Sequence, residues 1–181
     1  MIAIAEKQEP DFRSCFWGMQ KEEVRKVEKE FLEGENQGCL IYSTSLFNID
    51  CYLLYYFTRD NKLYRSGYLF VEEYVDPRSY IIDYQKVKNL IEKKYGKPYL
   101  DRESWTNDLF KENDLFKDNP GTALQLGFLS FVSSWSTEKT DIGLILTLNN
   151  RYEIVMFLSY TSKEYASIIK QKTEQDALDQ I

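Results

Sequence analysis

CYLLYYFTRDNKLYRSGYLF, residues 51–70, lies over TDIGLILTLNNRYEIVMFLS, residues 140–159, at a single offset. Each stretch is two apolar runs of strand length on either side of a short polar break. The break is Asp60-Asn61 in the first and Asn149-Asn150 in the second, residue types that accept the left-handed conformations of a tight hairpin. The overlay sets Lys62 on Arg151 and Tyr68 on Phe157. Identity between the copies is slight, so the weight falls on the order of elements around them.

Upstream of the first copy, Met19-Gln20 leads into a Glu-rich helical turn that complements the N-terminal dipole. Val24, Val27 and Phe31 follow at helical spacing, and Gly34 reads as the C-cap. Strands are expected at Cys39–Leu46, Cys51–Thr58 and Leu63–Val71. A second amphipathic helix runs from Tyr80 to Tyr95, ended by Gly96 and Pro98. Residues 99–124 are irregular, and strands resume at Leu126–Trp135, Ile142–Leu148 and Tyr152–Tyr160. A last helix spans Ser162 to about Leu178. The order helix, strand, strand, turn, strand thus occurs twice. It predicts an α+β chain, one domain over residues 1–181, with repeats at about 11–78 and 79–161 and a C-terminal helix at 162–178. Joining the two sets of antiparallel strands edge to edge under the helices gives one sheet and one core.

Composition removes whole classes of function. The net charge is −6 with a pI near 4.9, and no concentrated basic face is present to neutralise phosphates, so nucleic acid is not an expected partner. Histidine is absent, which takes away the commonest general base and the commonest zinc ligand. No membrane-spanning run and no bound cofactor are expected. Cys15, Cys39 and Cys51 are isolated and read as small buried hydrophobes. Met1-Ile2-Ala3-Ile4-Ala5 ends in an Ala-x-Ala pattern. It is either the tail of a signal segment, which places the protein in the periplasm or envelope, or a chance apolar start, which leaves it cytoplasmic.

The segment Phe12-Arg13 … Phe16-Trp17-Gly18-Met19 … Glu22-Glu23-Val24, followed by Leu53-Leu54-Tyr55-Tyr56-Phe57 … Asn61-Lys62-Leu63, resembles a widespread bacterial group with a "WGMSKEEV"-type helix start. Lys93-Lys94-Tyr95-Gly96-Lys97-Pro98 with Trp105 and Gly127 resembles the second half of the same pattern. The tandem layout is similar to the β-lactamase-inhibitor-protein-like fold shared with small outer-membrane assembly lipoproteins. The resemblance covers about residues 11–160 and implies a fold and frequent export. Its motifs are structural punctuation, so it implies no catalytic residue, and no lipobox cysteine stands near the start.

Three candidate chemistries can be weighed. Carboxylates cluster at Glu72-Glu73 with Asp76, at Asp83, and at Asp101 with Glu103, and a converging pair of acids would suit a hydrolase or lyase on a small or sugar-like substrate. Asp114 to Asp118 and Asp141 raise calcium, but the run Asp108–Asp114 lacks the alternating oxygens and central glycine of a calcium loop. Cys15 beside Arg13 has a cation to lower its thiol pKa but no histidine partner. Against these stands a non-enzymatic reading. Among 14 Tyr, 11 Phe and 3 Trp, residues Tyr42, Tyr52, Tyr56, Tyr64, Tyr68 and Trp135 are expected to stud an uncovered sheet face that engages a protein or an envelope component.

Overall fold

The computed structural model describes residues 9–36 and 38–178; the Met1–Ala5 segment lies outside the described residues. The elements run α1 (Lys21–Val27), β1 (Phe31–Asn36), β2 (Cys39–Leu46), β3 (Ile49–Phe57), β4 (Leu63–Phe70), α2 (Arg78–Tyr95) and β5 (Leu100–Trp105). They continue with the short helices α3 (Asp108–Glu112), α4 (Asp114–Asp118) and α5 (Pro120–Gln125), then β6 (Leu129–Ser136), β7 (Thr140–Leu148), β8 (Ile154–Ser162) and α6 (Lys163–Leu178). Eight antiparallel strands form one sheet in the order β1-β2-β3-β4-β8-β7-β6-β5. Each half is a helix followed by a four-stranded meander, and the halves join where β4 pairs with β8.

That join is a pseudo-twofold seam. Tyr68 pairs directly with Leu158, and stepping two residues either way pairs Phe70 with Met156 and Ser66 with Tyr160. Tyr68 and Leu158 both face the helix-covered core and Phe157 does not, so Leu158 is the counterpart of Tyr68, which corrects the overlay on Phe157. The turns are displaced too. Thr58 N–H donates to Lys62 O and Asn149 N–H to Glu153 O, both at 2.9 Å, so both loops span five residues rather than two. The left-handed position in each is its fourth residue, Asn61 (φ 56°) and Tyr152 (φ 63°). The two-residue hairpin lies elsewhere. Phe47 and Asn48, with φ 58° and 63°, close β2 onto β3 between Leu46 and Ile49.

The first helix is shorter than its periodicity predicts. It stops at Val27 because the Glu28 carboxylate accepts from the Lys29 and Glu30 N–H groups at 2.8 and 3.1 Å, a local alternative to helical bonding. Phe31–Asn36 then pairs with β2 as an edge strand, and Gly34 marks a bulge rather than a helix cap. In the second half Gly96 does end α2, at φ 80°. The irregular stretch 99–124 supplies the missing fourth strand, β5, and three helical turns.

One face of the sheet is roofed by helices. Val24 of α1, Tyr84, Val87 and Ile91 of α2, and Leu124 of α5 pack on Leu40, Leu53, Tyr55, Leu144, Leu146 and Leu158. Fully burying an aliphatic side chain of this size contributes about 1.5–3 kcal/mol. The N-terminal segment seals the space between α1 and α2. Phe12 sits 4.9 Å from Tyr160, 5.6 Å from Tyr68 and 5.7 Å from Tyr55, ring centre to ring centre, and Trp17 Nε1 donates to Thr140 Oγ1 at 2.8 Å.

The insertion carries a tandem hexapeptide, Asn107-Asp-Leu-Phe-Lys-Glu112 followed by Asn113-Asp-Leu-Phe-Lys-Asp118. Each Asn caps its helical turn by accepting from the Leu two residues on, at 2.9 Å. Each Phe turns inward, Phe110 stacking on Phe128 at 4.0 Å and Phe116 meeting its edge at 5.5 Å. Each Leu stays exposed.

Candidate functional site: the open sheet face

Alternation along the strands sends half of their residues to the other face. The pairing Ile41↔Leu54, Leu54↔Gly67, Gly67↔Ser159, Ser159↔Gly143 and Gly143↔Ser134 runs as one cross-strand row. From β4 to β6 this row is built of Gly and Ser, so it stands low on the face, and at Gly67 the Phe157 ring lies across it. Tyr52, Leu69, Phe157, Ile145 and Val132 stand along one side of it. Cys39, Tyr56, Arg65 and Thr161 stand along the other.

Between β1 and β4 the face hollows into a trough of about 610 Å³ lined by strand residues, among them Cys39, Ile41, Tyr52, Leu54, Tyr56 and Leu69. Leu54 and Cys39 are buried there although they belong to neither apolar cluster beneath the helices. Tyr52 keeps 39% of its surface exposed and Ile145 36%. Burial raises the Tyr56 hydroxyl pKa above its ordinary value, so at neutral pH it is an uncharged donor.

Of the six aromatic residues expected on this face, Tyr52 and Tyr56 are there. Tyr64 is the extra residue of a bulge where Tyr56 pairs with Arg65 and Phe57 with Leu63. It lines a recess of about 410 Å³ against Tyr165, Ile168 and Ile169 of α6. Tyr42, Tyr68 and Trp135 belong to the helix-covered core, at 3%, 6% and 2% exposure, because their strand phase is that of Leu40, Phe70 and Ser133. The sequence reading overlooked Phe157, Ile145, Leu69 and Arg65. A signal for them exists. The charged residues of the six inner strands, Asp50, Arg65 and Asp141, all take the open-face phase.

The candidate chemistries can be placed as well. A cleft of about 490 Å³ at one end of the seam gathers Glu72 and Glu73 from the first half with Glu153 from the second, beside Tyr74, Tyr80 and Tyr152. Glu73 and Glu153 are exposed. Glu72 accepts from Asp50 N–H at 3.3 Å and Glu153 from Asn149 Nδ2 at 3.0 Å. Asp76 grips Arg78 outside this cleft, and Asp83 accepts the Tyr74 hydroxyl.

Asp101 ends a chain in which Tyr84 OH meets Ser133 Oγ at 2.7 Å and Ser133 Oγ donates to Asp101 at 2.7 Å, with Lys88 Nζ at 2.5 Å on the other oxygen. Burial alone would raise the Asp101 pKa, but Lys88 and Ser133 outweigh it and hold the carboxyl below its ordinary value. Ser133 is fully buried, so this chain ties α2 to the β5 edge. Cys15, Cys39 and Cys51 are buried and unpaired, and burial pushes each thiol up to about 11. Cys15 is thus the reverse of an activated thiol, the Arg13 charge being outweighed by desolvation. Among the described residues no group of three or more His, Cys, Asp or Glu is arranged to hold a metal.

No family model, curated protein or solved structure matches this chain. Among the described residues, no helix is long and apolar enough to cross a membrane.

Proposed function

We propose that the protein is a non-enzymatic binding module of a bacterial cell whose open sheet face docks a protein partner, in the cytoplasm or in the envelope. The observation that carries this reading is the face itself. Strands β3, β4, β8 and β7 present Tyr52, Tyr56, Leu69, Phe157 and Ile145 about a low row of Gly and Ser and beside the trough at Leu54, on a scaffold fixed from behind by helices. Rigid aromatic and aliphatic side chains around a concavity are favourable anchors, because they bury large areas while losing little conformational entropy. The resemblance of the sequence to the β-lactamase-inhibitor-protein-like group adds support for a binding role, by analogy of fold alone.

The test is site-specific photo-crosslinking in cells that express the chain. A crosslinker at Tyr52 or Ile145 is expected to give one discrete adduct that disappears in a Phe157→Asp background. A crosslinker at Lys86, on the helical side, is expected to give none. Equal labelling from both sides ends the proposal.

A second reading has one observation of its own, the convergence of Glu72 and Glu73 with Glu153 across the seam. Two carboxylates from different halves are what a hydrolase or lyase on a small or sugar-like substrate needs. Screening aryl glycosides with the wild type, Glu72→Gln and Glu153→Gln checks it. Turnover lost in both variants supports it, and turnover absent in the wild type removes it.

A further inference from the structure

Arg65 stands in the middle of the open face with a geometry that folding alone does not call for. Its guanidinium carbon lies 5.7 Å from the Tyr56 ring centre and 5.3 Å from that of Phe157. The Nε hydrogen is buried without an acceptor. Among the described residues the Arg65 side chain has no ion pair or hydrogen bond, whereas Arg13 holds Glu28 and Glu30, Arg25 holds Glu35, and Arg78 holds Asp76. The side chain as a whole is part-buried, and of its nitrogens only Nε is both buried and without a partner, so the two terminal nitrogens can be reached from outside.

The cradle is built rather than incidental. Phe157 reaches Arg65 by lying over Gly67, where a Cβ would stand 2.9 Å from the ring and 2.5 Å from the Leu158 carbonyl oxygen. A residue without a side chain at that point is the condition for the ring to lie flat. Tyr56 closes the other side from the paired position on β3. Two ring faces attract the cation and also screen it from water, which strengthens whatever anion it meets.

We infer that Arg65 is the receptor for a carboxylate, an Asp or Glu side chain on the protein that docks on the open face. The inference rests on the docking reading of that face and adds the chemistry of the partner. Charge decides the class of anion. The chain carries a net charge of −6, and Asp50 and Asp141 share the face with Arg65, so a phosphate polymer or an anionic membrane would be repelled. A single carboxylate with apolar neighbours is accepted. The carboxylate takes the fork of the guanidinium, and its neighbours take the trough beside Leu54 and Leu69.

The probe is a phage-displayed library of random dodecapeptides, panned on the full chain. Clones are sorted by loss of binding to Phe157→Asp. Face-dependent clones are expected to share an Asp or Glu. Replacing that acid by Asn or Gln is expected to weaken binding about tenfold or more. Arg65→Gln should give the same loss, with no further loss when both changes are combined, and Arg65→Lys should lose less than Arg65→Gln. Circular dichroism melts of the variants confirm that they fold. Face-dependent clones that ignore Arg65→Gln, or that share a basic residue, overturn the carboxylate assignment and leave the face as a docking surface. A library with no face-dependent clone removes the docking reading and this inference together.

Discussion

The two halves share one plan and are held together by different physics. In the first half a seven-residue helix covers the sheet, and a buried ionic knot compensates for its shortness. Glu28, with 4% of its side chain exposed, accepts from Arg13 Nε at 3.2 Å and from Tyr55 OH at 2.5 Å. Burial, with the Glu28 carboxylate adding to it and Arg13 opposing it, raises the Tyr55 hydroxyl well above its ordinary pKa. In the second half an eighteen-residue helix buries Tyr84, Val87 and Ile91, and the hexapeptide insertion adds a small phenylalanine cluster. A duplicated layout therefore constrains strand order and pairing, and leaves each copy free to find its own roof.

Removing Glu28 should break that contrast most sharply. Glu28→Ala leaves the buried Tyr55 phenol without its acceptor and the half-buried Arg13 guanidinium with Glu30 alone, and should cost about 3–5 kcal/mol in urea unfolding. Ile91→Ala, its counterpart under α2, should cost about 2–5 kcal/mol as a simple cavity. The two can be told apart by an added apolar side chain, since Glu28→Met should recover part of the first loss. If Glu28→Ala unfolds like the wild type, the knot is not what holds the first roof. At the seam, Gly67→Ala should cost about 1–3 kcal/mol, because the new Cβ meets the Leu158 carbonyl. Gly143→Ala, which meets only Ser159 Oγ at 3.3 Å, should be milder, and equal melting temperatures for the two would contradict the packing described.

Smaller effects sharpen the second half. Tyr84→Phe removes one hydrogen bond while Ser133 keeps Asp101, so about 0.5–1.5 kcal/mol is expected. The acid limb should be slight. Asp101 has a folded pKa below its ordinary 3.8, so its contribution is complete above that value and disappears as the pH falls through the lower folded one. Lys88→Met should flatten this limb in a pH series of urea titrations, and an unchanged limb would show that the pair is fully screened at its half-exposed position.

Much of this layout is legible in the residues. Apolar runs, glycine and proline stops and the second helix give six of the eight strands and two of the helices, α2 and α6, near their true bounds, and the start but not the end of α1. Two strands escape, for physical reasons. Phe31 carries helical spacing by coincidence, and the Glu28 carboxylate, bonded to the next two backbone N–H groups and to distant Arg13, overrides it together with the pairing on β2. Leu100–Trp105 is an edge strand, half charged, with pairing on one side to supply its order. The phase of the aromatic strands was hidden because β3 is apolar on both faces, so alternation there says nothing. Asp50, Arg65 and Asp141 did mark the open face. Tyrosine count alone did not, since Tyr42 and Tyr68 share their residue type with Tyr52 and Tyr56 and differ in phase.

The seam between β4 and β8 also sets how the molecule must assemble. Every other strand pairing is between consecutive strands, closed by short loops or, for β5 and β6, by the compact insertion, whereas Tyr68 and Leu158 are about 90 residues apart. Each meander can therefore form on local contacts, and joining them is the high-contact-order step expected to limit the folding rate. Until it happens, β4 and β8 are open edges of like geometry. A β4 edge that meets a β8 edge on another molecule has the same ladder to offer, so the seam is where slow closure at high concentration would give way to exchanged dimers.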